Sequence, residues 1–124
     1  MPHENSWNSE SLYRKFSGEI SGEEILESNF ELQAHPNFSV IKYIINDFTN
    51  VTEHTVKAMH ANVYAKTDNI IANTKGKLKI ALVVPPTSPV IEVANNYREQ
   101  MRGSLFSCEI FSTFKDAENW GSKK

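Results

Sequence analysis

Two apolar, β-branched runs restrict this chain more than any other feature: Val40-Ile41-Lys42-Tyr43-Ile44-Ile45 and Leu78-Lys79-Ile80-Ala81-Leu82-Val83-Val84. Neither alternates with polar residues as a half-wetted strand does, so each reads as a strand covered on both faces. Between them Val56, Met59, His60, Val63, Tyr64, Ile70 and Ile71 fall on one broad helical stripe, which predicts a long helix ending near Asn73. Two covered strands joined through a helix form a parallel crossover, nearly always right-handed, and commit the chain to an α/β sheet.

The remaining segments fit that scheme. Leu12, Arg14 and Phe16 alternate with Tyr13, Lys15 and Ser17 up to Gly18, predicting a short first strand at an edge of the sheet. Ser21 stands three residues before Glu24, the reciprocal arrangement that starts a helix, and His35-Pro36 stops it, giving a helix from about Gly22 to Gln33. After Pro85-Pro86-Thr87-Ser88-Pro89, the residues Val90, Ile91, Val93, Ala94, Tyr97 and Met101 repeat at helical spacing up to Arg102-Gly103. A last strand spans about Phe106 to Phe111, and Phe114 to Trp120 forms a short helix packing under the sheet. The expected organisation is a loose polar arm over 1–10, docked by Trp7, and a single α/β domain over 11–124.

Composition bounds the function classes. A net charge of -2 offers no general attraction to phosphate backbones or anionic lipids, which argues against a nucleic-acid partner. The longest apolar stretch, Ile80 to Pro86, is far below the roughly 20 residues that cross a bilayer, so no membrane insertion is expected. One cysteine, Cys108, makes no internal disulfide, and the absence of an apolar leader fits a cytoplasmic protein.

Chemical motifs are sparse. The five glycines are scattered, so no dinucleotide or phosphate loop forms. His54 and His60 point about 120° apart on a helix rather than pairing as metal ligands. Cys108 sits in an apolar strand as a small buried hydrophobe, and no base-activated nucleophile is evident. Lys75, Lys77 and Lys79 read as a solvated approach to the third strand. Neither cofactor nor metal is expected, and the chain reads as a non-enzyme.

In open parallel sheets ligands and partners collect beyond the carboxyl ends of the strands, here Asp47 to Thr55 and Pro85 to Ser88. The first segment, NDFTNVTEHT, reads as a turn leading into the long helix, with Thr52 as its cap, Asp47 and Asn50 as turn formers and Val51 as a staple. Its hydroxyls at a helix start also suit a regulatory phosphate, which makes Asp47, Thr49, Thr52 and Thr55 the candidate interaction or regulatory residues. The alternative is an apolar pocket between sheet and helices, lined by Met59, Val63, Tyr97 and Met101.

From about Ser17 to Trp120 the chain resembles the SpoIIAA-like group, the fold shared with STAS domains and small STAS/SEC14-like proteins. The residues that carry the resemblance are Gly18-Glu19-Ile20-Ser21-Gly22-Glu23-Glu24, Ile44 through Val51, Lys79 through Val84, and Phe111 through Trp120. It implies an open, largely parallel sheet of four to five strands with about four helices. In the anti-sigma-factor antagonists of this group a serine at the helix start carries a phosphate. Asp47-Phe48-Thr49 begins the corresponding place and Thr55 stands where that serine is expected, without the glycine that follows it there. Ala94 and Tyr97 keep part of an Ala-Arg-x-Tyr pattern of the STAS/SEC14-like proteins and lack its arginine. The resemblance implies a regulatory module acting through an unidentified protein partner and leaves a homodimer open. A small apolar-ligand or lipid carrier is the alternative.

Overall fold

The computed structural model describes residues 3–123; the first two residues of the expected arm and the last residue of the expected domain lie outside them. The strands are β1 (His3–Trp7), β2 (Ser11–Ile20), β3 (Tyr43–His54), β4 (Leu78–Val83) and β5 (Phe106–Phe111). The helices are α1 (Gly22–Ala34), α2 (Ala58–Lys75), α3 (Ile91–Gln100) and α4 (Phe114–Ser122), with a short 3-10 turn at Pro36–Ser39. The strands pair in the order β1-β2-β3-β4-β5. All neighbours are parallel except β1 and β2. Because each crossover advances the sheet by one strand in the same direction, one handedness puts α1, α2 and α3 on a single face. The other face is covered by α4, against a smaller core of Tyr43, Ile45, Ala81, Val83 and Ala117.

Two expectations need correction at the amino-terminal side. Residues 3–7 are not a loose arm: HENSW is strand β1, antiparallel to β2 in the register Trp7↔Leu12 to His3↔Phe16. A mostly exposed edge strand needs no apolar alternation, and the turn is closed by Asn8, whose Oδ1 accepts from the amides of Glu10 (2.9 Å) and Ser11 (2.8 Å). Trp7 docks by stacking on His35 at 3.9 Å between ring centres. The Leu12-to-Phe16 strand is therefore interior to the sheet, with β1 outside it.

The start of α1 follows the sequence closely. Ser21 Oγ accepts from the Glu24 amide (3.1 Å) while Glu24 Oε1 accepts from the Ser21 amide (3.2 Å). Ser21→Ala is expected to lower stability by about 1 kcal/mol, read from the midpoint of chemical denaturation. Gly22 packs directly beneath His60, so that a Cβ there would lie 2.3 Å from the imidazole Nδ1. That imidazole accepts from the Lys57 amide at 2.9 Å and so caps α2. Gly22→Ala should displace the ring, free that amide and destabilise the protein by about 1–2 kcal/mol, again measured by denaturation.

The lysines at the approach to β4 are not simply solvated. Lys75 Nζ donates to the carbonyls of Ile41 (2.9 Å) and Ser39 (3.3 Å). Lys79 Nζ donates to those of Trp120 (3.0 Å) and Lys123 (2.7 Å), satisfying the carboxyl end of α4. Lys77 alone is exposed.

The largest departure concerns NDFTNVTEHT. Instead of ending near Ile45 and turning, the strand begins at Tyr43 and continues to His54. The β2–β3 register slips between Lys15 and Ser17 and again between Gly18 and Glu19, each time with the extra residue on β3. Such bulges let a polar, β-branched segment remain extended while it twists away from the sheet. The β4 pairing stops at Asp47↔Val83, so residues 48–54 pair with β2 alone and project beyond β4. Thr52 is consequently an exposed strand residue and not a helix cap; α2 begins after Lys57.

Candidate functional site

A cavity of about 80 Å³ lies between the sheet and helices α1 to α3. Its walls are mainly apolar, with Ile25 and Leu32 from α1, Leu78 and Leu82 from β4, and Val56 and Val90 from the segments before α2 and α3. Buried polar side chains interrupt them, among them Arg14, Asn46, Asp68 and Tyr97.

Each is placed there by the periodicity of its element. Arg14 follows Leu12 and precedes Phe16 on the inward face of β2, and Asn46 follows Ile44 on that of β3. Asp68 lies on the inward face of α2 with Ala61, Tyr64, Ala65 and Ala72, whose three alanines let the helix approach the sheet. Tyr97 comes from the buried face of α3.

The polar groups form two half-networks. Arg14, 4% exposed, donates from Nε to Asn46 Oδ1 (2.9 Å) and from Nη1 to Ser28 Oγ (2.8 Å). Its guanidinium lies over the Phe16 ring at 5.1 Å. Asp68, 8% exposed, accepts from the Tyr97 hydroxyl (2.5 Å) and from Gln33 Nε2 (3.1 Å). No ion pair joins Arg14 to Asp68 among the described residues. Burial lowers the Arg14 guanidinium to about 10, opposed by the nearby Asp68 charge. Burial raises Asp68 to about 6, opposed by the Tyr97 hydroxyl, Arg14 and Gln33. Tyr97 is pushed well above its ordinary range by burial and then by Asp68, so its hydroxyl remains a donor.

Of the four residues expected to line an apolar pocket, only Tyr97 borders the cavity. Met101 is buried in the surrounding core. Met59 and Val63 are 64% and 43% exposed on the outer side of α2. The broad stripe read from the sequence mixed two faces, because the inward stripe is built from small residues and an aspartate rather than from the larger apolar ones.

The four candidate regulatory residues do not make one site. Asp47 is buried and accepts from the Tyr13 hydroxyl (2.6 Å), the Thr49 amide (2.9 Å) and the Thr49 hydroxyl (2.5 Å). Asp47 and Thr49 thus close on each other. Thr52 and Thr55 are exposed on the projecting end of β3 and just after it, where the Thr55 amide donates to Ile20 O at 3.0 Å. The two loop regions do meet at one end of the sheet: His54 Nε2 lies 2.8 Å from Pro89 O, and His54 Nδ1 accepts from the Val56 amide at 3.0 Å. Cys108 is buried and its thiol is pushed up to about 12, chiefly by burial. Among the described residues no group of three or more His, Cys, Asp or Glu is arranged to hold a metal.

Arg14, Asn46 and Asp68 were not among the residues singled out in the sequence. The signal was present as phase: an arginine between Leu12 and Phe16 on one strand face, and an aspartate seven residues after Ala61 and four before Ala72 on one helix face.

A four-stranded parallel sheet with an antiparallel edge strand, three helices on one face and one on the other, defines a mixed α/β domain of the SpoIIAA-like, STAS-like fold. The chain has that fold. It superposes on the anti-sigma factor antagonist SpoIIAA in its unphosphorylated form with a TM-score of 0.56 at 10% identity, covering 95% of this chain and 96% of that one. A second solved structure, an uncharacterized protein of the DUF3478 family with a SpoIIAA-like fold from Shewanella loihica PV-4, gives 0.54 at 14% identity over 96% of this chain and 91% of that one. The sequence matches no family model and no curated protein. Among the described residues no helix is long and apolar enough to cross a membrane.

Proposed function

We propose that the protein is a non-enzymatic regulatory module that binds a small, largely apolar ligand in the cavity under α1, α2 and α3. The observation that carries this reading is the cavity itself, whose apolar walls hold the buried polar side chains of Arg14 and Asp68. Pockets that bind small ligands have this composition, mostly apolar with a few fixed polar groups for orientation. The non-enzymatic reading is supported by the chemistry of the interior: the Cys108 thiol is held protonated and the Tyr97 hydroxyl is committed to Asp68. A cytoplasmic location belongs to the same proposal and rests on the lone, buried cysteine.

Native mass spectrometry of gently purified protein tests the reading. A discrete adduct at one per chain, lost on denaturation, is the expected result. Protein that carries no adduct and whose melting temperature is unmoved by small apolar compounds would remove it.

A second reading, regulation through a protein partner, is favoured by the projecting end of β3, which exposes Thr52 and Thr55 beyond the last residue paired with β4. One of the solved structures with this fold is that of an anti-sigma factor antagonist. Phosphothreonine at either position in protein from its native cells, with loss of a bound partner in Thr55→Ala, is the outcome expected here; unmodified threonines and unchanged binding would exclude it.

A further inference from the structure

We infer that the ligand of this cavity is a small monocarboxylate, its apolar body held by the aliphatic walls and its carboxylate seated on the Arg14 guanidinium; the inference rests on the ligand-binding reading above. Three observations lead to it. First, the guanidinium carries five N–H donors, and the hydrogen bonds among the described residues engage only Nε and Nη1. Second, the only side-chain polar atom both sealed from solvent and without a partner among the described residues is His3 Nδ1. The Nη2 edge is therefore open to accessible space, and Arg14 borders the cavity. Third, Asp68 is already engaged on both oxygens, by Tyr97 and by Gln33, whereas Nη2 of Arg14 has no hydrogen-bond partner among the described residues. Arg14 is thus the cationic donor among the groups bordering the cavity.

The charge and size of the ligand follow. A planar guanidinium matches the geometry of a carboxylate. A phosphate dianion would need further cationic donors, and among the groups bordering the cavity the other charged side chain is the acidic Asp68. A volume of about 80 Å³ has room for roughly five to eight water molecules, which suits a molecule of about as many heavy atoms. Ile25, Leu32, Val56, Leu78, Leu82 and Val90 supply the surface against which its carbon atoms lie.

The test compares head groups on one unchanged chain. Hexanoate, hexan-1-ol and hexylamine are titrated separately into the full-length protein at pH 7.5, followed by calorimetry and by amide chemical shifts. The expected result is one hexanoate per chain with about tenfold preference over hexan-1-ol, and shifts confined to β2, β3 and the inward faces of α1 to α3. Arg14→Gln, where it folds, should abolish the preference for hexanoate over hexan-1-ol. Equal binding of hexanoate and hexan-1-ol would overturn the carboxylate seat and leave the apolar cavity standing. Tightest binding of hexylamine would move the seat to Asp68 and equally overturn the proposal. If none of the three binds, both the seat and the ligand-binding reading fall.

Discussion

Arg14→Met is expected to lower the stability of the protein by about 3 kcal/mol, the middle of the range between orphaning buried acceptors and breaking a buried charge pair. The thioether fills much of the space of the arginine stem, so the loss is not mainly one of packing. It comes from Asn46 Oδ1 and Ser28 Oγ, which lose the donors that satisfy them, and from Asp68, which loses the positive charge of the guanidinium. Denaturant unfolding reads the change as a lower midpoint with an unchanged slope. The combination Arg14→Met with Asp68→Asn should recover at least about 1 kcal/mol relative to additivity, because the second change removes the charge that the first left alone. Strict additivity would mean that the two groups, which share a cavity without touching, are electrostatically independent.

A buried arginine and a buried aspartate that are not ion-paired cost a small domain stability that apolar residues of similar volume would not. Arg14 holds a position whose neighbours in phase, Leu12 and Phe16, are among the most buried residues of the chain. A local rule broken at a position where the fold itself asks for an apolar side chain is the usual mark of a functional site. The same reasoning separates the cavity from Asp47 and Thr49. Those residues satisfy one another, and their hydrogen bonds account for their presence without a ligand.

The strands and helices that run along the middle of the molecule were legible because their residues are buried on a fixed period. The apolar strand β4, the capping box of α1 and the end of α2 all lie where sequence pattern places them to within a residue or two. Two elements were not legible. The edge strand β1 has the polar composition of a loop, because its side chains are mostly exposed and its order comes from pairing with β2. The outer half of β3 reads as a turn because Asn46, Asp47 and Asn50 are turn formers, yet Asn46 is held by Arg14 and Asp47 by Tyr13 and Thr49. Long-range partners, 32 and 34 residues away, override the local preference. The cavity was legible only in outline: Tyr97 points to it, while Met59 and Val63 were assigned inward by size when the small residues Ala61 and Ala65 occupy that face.

Asp68→Asn is expected to raise stability at pH 7, by about 1–3 kcal/mol. The sign follows from the direction of the shift. Burial raises the folded carboxyl to about 6, above its ordinary value of 3.8, so between these values the folded state binds more protons than the unfolded one. Stability contributed by this group is therefore full below about pH 4 and falls as pH rises through about 6. Above that range the ionised carboxylate is carried at a net cost, despite the Tyr97 hydroxyl, Gln33 and Arg14 that favour it. Asparagine keeps an acceptor for Tyr97, and the Gln33 amide can turn to accept from its NH₂ group, so no buried polar atom is orphaned. Other carboxylates act in the opposite sense; Glu23, for one, is shifted below its ordinary value by backbone hydrogen bonding. The informative quantity is accordingly the difference in unfolding free energy between Asp68→Asn and the unaltered protein, followed from pH 4 to pH 8. That difference should be smallest near pH 4, grow through pH 6 and level off above pH 7. A flat difference would show that Asp68 titrates alike in the folded and unfolded states, and that the cavity is wetter than its apolar walls imply. A difference of opposite sign would show that the ionised carboxylate is stabilised by Arg14 more than burial penalises it, which would make the two groups a working ion pair and take from Arg14 the free charge a carboxylate ligand requires.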